Sequence, residues 1–141
     1  MAHVGVFPVL LTLALFSQTT KRIERAFFQN DAGFLYGLFP SSQHLTVSLP
    51  EPISFADHLS SEQAHFLFRK IYSAYATFEF YTDSELPFIA GGKNFIFKSR
   101  WSFKNKKDNN QHVFQVFFYL VHEKDNAAGQ WRITEIKAEK F

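Results

Sequence analysis

Gln130-Trp131-Arg132-Ile133-Thr134-Glu135-Ile136 closes a run of three aromatic strands, and the reading of that run decides the fold. Upstream of it, Asn94 to Lys104 alternates. Phe95, Phe97, Ser99, Trp101 and Phe103 face one way, while Ile96, Lys98, Arg100, Ser102 and Lys104 face the other. Lys106 to Gln111 is polar and turn-forming. His112 to His122 is apolar on both faces, with Val113, Phe117, Tyr119 and Val121 on one and Phe114, Val116, Phe118 and Leu120 on the other. Asp125 to Gly129 makes a second turn, and Gln130 to Ala138 is the last strand. Consecutive strands joined by short polar turns pair antiparallel.

The residues before these strands read as helices. Ile23, Ala26 and Phe27 fall at helical spacing within Lys21 to Asn30. Asp31 is placed to cap a second short helix through Phe34, Leu35, Leu38 and Phe39, which Pro40 ends. Leu45, Val47 and Leu49 alternate with polar residues as a short strand stopped by Pro50 and Pro52. Ser60 stands three before Gln63, a capping-box spacing, and Ala64, Leu67, Phe68, Ile71 and Tyr75 then run down one helix face to about Ala76. Thr77 to Tyr81 alternates again, with Phe78 and Phe80 on one side.

A chain of 141 residues forms one core without staples. Its 19 phenylalanines concentrate the apolar content in flat rings, which fill a core with few residues or line a cavity that few residues surround. With 15 Lys and Arg against 13 Asp and Glu, there is no general attraction to nucleic acid or membrane. Cysteine is absent, which excludes disulfides, thiolate metal sites and thiol nucleophiles. Val4 to Phe16 is an uncharged apolar run, too short to span a bilayer and of the length of a signal-peptide core. It has no Lys or Arg before it and no Ala-x-Ala site after it, and Ser17 and Thr19 are the best small residues for cleavage. Residues 1–19 therefore divide between a signal peptide, giving a periplasmic or secreted protein, and a buried N-terminal helix of a cytoplasmic one. Residues 20–141 carry no linker, repeat or low-complexity tract, and read as a single domain.

The order of elements, together with Gln130-Trp131-Arg132-Ile133 after a glycine-containing turn, resembles the cone-shaped fold shared by nuclear transport factor two, ketosteroid isomerase and scytalone dehydratase. The length, the apolar leader and the Trp-Arg-Ile-x-Glu-Ile close resemble an uncharacterised family of small exported bacterial domains within that superfamily. The resemblance covers residues 20 to 138 and implies an α+β cone, with helices packed on the concave face of a curved antiparallel sheet and one open mouth. Enzymes of the superfamily keep a polar or acidic group in an apolar pocket there, where desolvation raises its pKa.

On this resemblance the candidates for a ligand pocket are Tyr36, Phe78, Phe80, Phe97, Trp101, Tyr119, Trp131 and Glu135. The competing reading makes them core aromatics with one exposed acid. The isomerase pattern needs a Tyr and two carboxylates, and the strands 94–104 and 112–122 carry no acid to set beside Tyr119 and Glu135. The dehydratase pattern uses His and Asp together, but Asp57-His58 is adjacent in sequence, in a turn-like context before the Ser60 cap. The sequence thus offers no catalytic set. Six dispersed histidines, His65, His112 and His122 among them, give no metal-ligand spacing, and no cofactor is expected. Gly91-Gly92-Lys93 follows no strand-to-helix step and reads as a hairpin turn.

Lys98, Arg100, Lys104, Lys106 and Lys107 are interleaved with Trp101 and Phe103, as in single-strand nucleic-acid binders. Strand geometry puts those rings and cations on opposite faces, so bases cannot stack where phosphates bind, and no nucleic-acid partner is expected. A strand apolar on both faces needs cover on both. With helices on the concave face, the expectation is a homodimer through an outer face carrying Phe114, Val116, Phe118 and Leu120, unless a loop or the N-terminal segment folds over it. Three functions follow: a non-catalytic exported domain binding an apolar ligand or a protein partner; a dimerisation module with a filled core; or an isomerase or dehydratase using a pocket acid. The first is preferred, narrowly over the second.

Overall fold

The computed structural model describes residues 18–41, 43–82, 88–90, 94–123 and 131–141. Val4 to Phe16 and Gly91-Gly92-Lys93 lie outside them, as does the turn at Asp125 to Gly129.

Among the described residues three helices form one layer. Helix α1 (18–28) buries Thr19, Ile23, Ala26 and Phe27, one stripe at three- and four-residue spacing. It ends at Asn30, whose φ of 51° is a left-handed conformation that asparagine tolerates, and the Asp31 N–H closes the turn on the Ala26 carbonyl at 2.8 Å. Asp31 then caps α2 (Ala32–Tyr36) by accepting from the Phe34 N–H at 2.9 Å. Helix α3 (Ser61–Ala74) starts with the expected reciprocal box: Ser60 Oγ accepts from the Gln63 N–H at 3.1 Å, and Gln63 Oε1 from the Ser60 N–H at 2.9 Å. Its buried face is Ala64, Phe68, Ile71 and Tyr72.

The sheet comprises β1 (Leu45–Leu49), β2 (Phe55–Leu59), β3 (Tyr75–Thr82), β4 (Phe88–Ala90), β5 (Asn94–Asn105), β6 (Gln111–His122) and β7 (Trp131–Lys140). Its order is β2-β1-β7-β6-β5-β3, with β4 also on β5. It is curved and unclosed, and the architecture is the expected α+β cone. Every pairing is antiparallel except β1 with β7. That parallel contact arises because the last strand returns to lie between β6 and the early hairpin.

Four local expectations change. Asp57-His58 sits in edge strand β2, paired with β1, rather than in a turn; an exposed edge strand has no buried alternation to announce it. The stripe on β3 is broken by a bulge: Thr77 opposes Phe103 and Glu79 opposes Ser102, leaving Phe78 as the extra residue. Phe80 is therefore buried at 1% exposure while Phe78 stands 48% exposed. A second bulge, at Thr134, separates the pairs Tyr119–Glu135 and Leu120–Ile133. Trp131 and Ile133 face the core before it, Ile136 and Ala138 after it, and Glu135 turns outward. Finally, Phe114, Val116, Phe118 and Leu120 are the inward face of β6, none more than 1% exposed. The expected dimer face is thus the wrong side of the strand. The register explains why: Trp101 opposes Phe114 and Phe97 opposes Phe118, so β6 follows the buried stripe of β5.

Candidate functional site

The inside of the cone is organised by one ring from α1. Phe27, 1% exposed, stacks on Phe80 at 4.5 Å and meets Trp101 at 5.1 Å, Phe118 and Tyr72 at 5.7 Å, and Phe68 at 6.1 Å. The other rings close around this hub. Phe97 stacks on Phe118 at 4.9 Å, Phe95 meets Trp131 edge-on at 4.6 Å, and Trp101 Nε1 donates to Thr77 Oγ1 at 2.9 Å. Of the expected pocket residues, Phe80, Phe97, Trp101 and Trp131 lie here, none more than 6% exposed. They are packing for one another.

The remaining pocket candidates lie elsewhere. Tyr36 is on the outer surface of the helices, its ring 4.9 Å from His65 and its hydroxyl donating to Glu62 Oε1 at 3.2 Å. The charge of Glu62, and then that hydrogen bond, hold the Tyr36 pKa above its ordinary value. Phe78 projects from the β3 bulge. Tyr119 and Glu135 are cross-strand partners on the convex face.

Acid–base chemistry inside the cone would need an ionisable group there. Among the described residues the buried polar side chains are Thr19, Ser99 and Ser102, with the phenol of Tyr72. Ser99 donates to the Val116 carbonyl at 3.3 Å and Ser102 to Glu79 at 2.9 Å. The Tyr72 hydroxyl is buried with no hydrogen-bond partner among the described residues; burial and then the charge of Asp31 push its pKa well up. Such a phenol stays neutral through the physiological range, and among the described residues no side chain is hydrogen-bonded to it, although Asp31 and His65 border the same hollow. Asp57 and His58 are exposed, with His58 Nδ1 2.8 Å from Thr46 Oγ1. Among the described residues no three of His, Cys, Asp or Glu gather in a way that could hold a metal.

A polar clasp joins the strands to the helices. Arg132 Nε lies 3.3 Å from Glu123 Oε2, with both side chains under one-fifth exposed. Arg132 Nη1 also donates to the Gly37 carbonyl, Ser41 Oγ to Glu123, and the Ile133 N–H to the Leu38 carbonyl at 2.8 Å. The clasp ties the start of β7 and the end of β6 to the end of α2. No pattern announces it, because Glu123 and Arg132 acquire each other only through the fold.

The convex face is the other surface with a pattern. Its central strand β6 presents Val113, Gln115, Phe117, Tyr119 and Val121, all partly exposed. Across the sheet these continue into rows: Ile96, Tyr119, Glu135 and Thr46; then Lys98, Phe117, Lys137 and Ser48; then Arg100, Gln115 and Glu139. The rings and cations of β5 occupy opposite faces, as alternation requires. Arg100 stacks on the Phe141 ring at 4.4 Å and reaches Glu79 at 3.5 Å. No described helix is long and apolar enough to cross a membrane.

The arrangement recurs in solved structures. A nuclear transport factor 2-like superfamily protein from Salmonella enterica matches with a TM-score of 0.66 at 13% identity, covering 92% of each chain. A nuclear transport factor 2-like protein from Cytophaga hutchinsonii gives 0.65 at 12% identity, covering 91% of this chain and 97% of its own. The chain has the cone fold. A ketosteroid isomerase-like protein from Erwinia carotovora atroseptica shares it at a TM-score of 0.62 and 13% identity, over 94% of this chain and 92% of its own. No family model and no curated protein matches the sequence. These structures thus share the path of the chain while almost nine residues in ten differ.

Proposed function

We propose that this chain is a non-catalytic binding module that works through the convex face of its sheet, in the first instance as a homodimer, and that Val4–Phe16 directs its export. Phe27 carries the first half of this reading. It occupies the middle of the cone, where a bound apolar molecule or a reacting substrate would need room, and among the described residues its ring neighbours are Phe68, Tyr72, Phe80, Trp101 and Phe118, with no carboxylate or imidazole. The row on β6 supports the second half. Phe117, Tyr119 and Val121 lie at the centre of a sheet face, and central sheet residues of this size are ordinarily covered.

A second copy suits that face. A two-fold axis running along β6 lays β5 of one copy over β7 of the other and keeps each row in register, so Arg100 meets Glu139, Ile96 meets Glu135, and Lys98 meets Lys137 as the one like-charged pair at the rim. Native mass spectrometry of freshly purified protein tests the reading. The expected species is two chains with nothing else bound. A single chain that retains a small molecule would replace it with the ligand-in-cone function.

A further inference from the structure

The outer surface of the helical layer gathers cations and exposed rings. On α1, Arg22 and Arg25 bring their guanidinium carbons to 5.7 and 5.0 Å from the centre of one ring, Phe34, just past the start of α2. Arg25 also reaches Gln29 Oε1 at 3.4 Å. Two like charges converging on a single ring raise each other's electrostatic energy, and among the described residues neither is ion-paired to a carboxylate. On α3, Arg69 lies 5.8 Å from the centre of the Phe66 ring. Phe66 and Phe28 are 58% and 55% exposed.

The acids of this layer are engaged within the fold. Asp31 caps α2, Glu62 accepts from the Tyr36 hydroxyl, and Glu24 accepts from Thr82 Oγ1 at 2.9 Å. Residues 29 to 33 and Arg69 border one shallow hollow, so the α1–α2 and α3 parts of the surface are continuous.

We propose that this surface docks on an anionic lipid bilayer. Arg22, Arg25 and Arg69 meet the headgroup phosphates, and Phe28 and Phe66 enter the boundary between headgroups and acyl chains. Phe66, already flanked by Arg69, suits that boundary, where one end of the pair is apolar and the other charged. An acidic peptide is the less suited occupant. An Arg cluster can pair with an acidic motif, but such a peptide gives Phe28 and Phe66, 55% and 58% exposed, no apolar phase to enter. The inference is independent of the proposed dimer, which uses the opposite side of the molecule.

Co-sedimentation of the full chain with vesicles tests it. The probes are phosphatidylcholine vesicles with and without about one-third phosphatidylglycerol, and a poly-glutamate peptide. Binding is expected to the anionic vesicles alone and to fall steeply with added salt. The double substitution Arg22→Gln and Arg25→Gln weakens it roughly 25-fold, at about five-fold per cation. Phe28→Ser with Phe66→Ser weakens binding to the same vesicles while leaving its salt dependence in place. Both pairs are exposed, so circular dichroism and thermal unfolding should match the parent. Equal binding to neutral vesicles, as the Val4–Phe16 run alone would give, overturns the proposal. So does binding that the arginine pair does not change, no vesicle binding at all, or capture by poly-glutamate in preference to vesicles.

Discussion

Phe117 and Phe118 are adjacent in sequence and identical in chemistry, yet the fold gives them opposite surroundings. Phe118 lies in the cone, stacked on Phe97 and in edge contact with Phe27, with no exposed surface. Phe117 stands on the convex face between Lys98 and Lys137, its nearest partners across the neighbouring strands. The first ring has all its partners inside one chain. The second has a sheet beneath it and, among the described residues, no element above it. This difference separates the two faces: the concave face carries the packing energy, and the convex face is where the proposed association would form.

The comparison breaks most readily at its hub. Phe27→Ala removes a ring with five aromatic neighbours, and is expected to cost about 3–5 kcal/mol of unfolding free energy in urea. It also leaves a dry apolar cavity, so benzene should stabilise the variant and not the parent. A variant as stable as the parent would mean that the cone is not solid around this ring.

The other face is probed by charge. Phe117→Glu should cost the dimer at least about 2 kcal/mol in association while leaving the circular dichroism of each chain unchanged. Loss of folded signal instead would show Phe117 to be core, and would erase the distinction between the two rings.

Smaller changes sharpen the concave side. Ser60→Ala deletes the acceptor that holds the Gln63 N–H and is expected to cost about 1 kcal/mol, loosening the helix that covers Phe27. Tyr72→Phe removes a buried hydroxyl that has no hydrogen-bond partner among the described residues, so neutral-pH stability should change little. Its effect appears in alkali. The folded pKa of Tyr72 is raised, so the native state keeps its proton after the unfolded chain has lost it. Stability attributable to Tyr72 is thus complete below the ordinary phenol pKa of about 10 and falls as pH rises beyond it. Urea midpoints above that pH should fall less in Tyr72→Phe than in the parent.

Much of the architecture is written locally. The alternation of Phe95 to Phe103 and the Ser60–Gln63 box each depend on residues close in sequence, and the structure has both. What misled lay in parity. Both faces of β6 are apolar, so the strand alone does not say which is inward; its register with β5 does, because Lys104 opposes Gln111 across the turn. Gln115, the one polar residue in the middle of the run, marks the outward set and was an available signal. The bulges at Phe78 and Thr134 were not available. Without the second, Glu135 would share a face with Trp131 and Ile133 and point into the cone, as a pocket acid should. Phe27 was visible as part of a helical stripe, but its place as the hub depends on five residues from four distant elements.

The central claim is that the working surface is the convex face, with a second copy as its first partner. Sedimentation equilibrium over a micromolar concentration range tests it directly, with the parent and Phe117→Glu measured side by side. The account predicts a dimer for the parent and a folded monomer for the variant. A parent chain that remains a monomer throughout that range would contradict it.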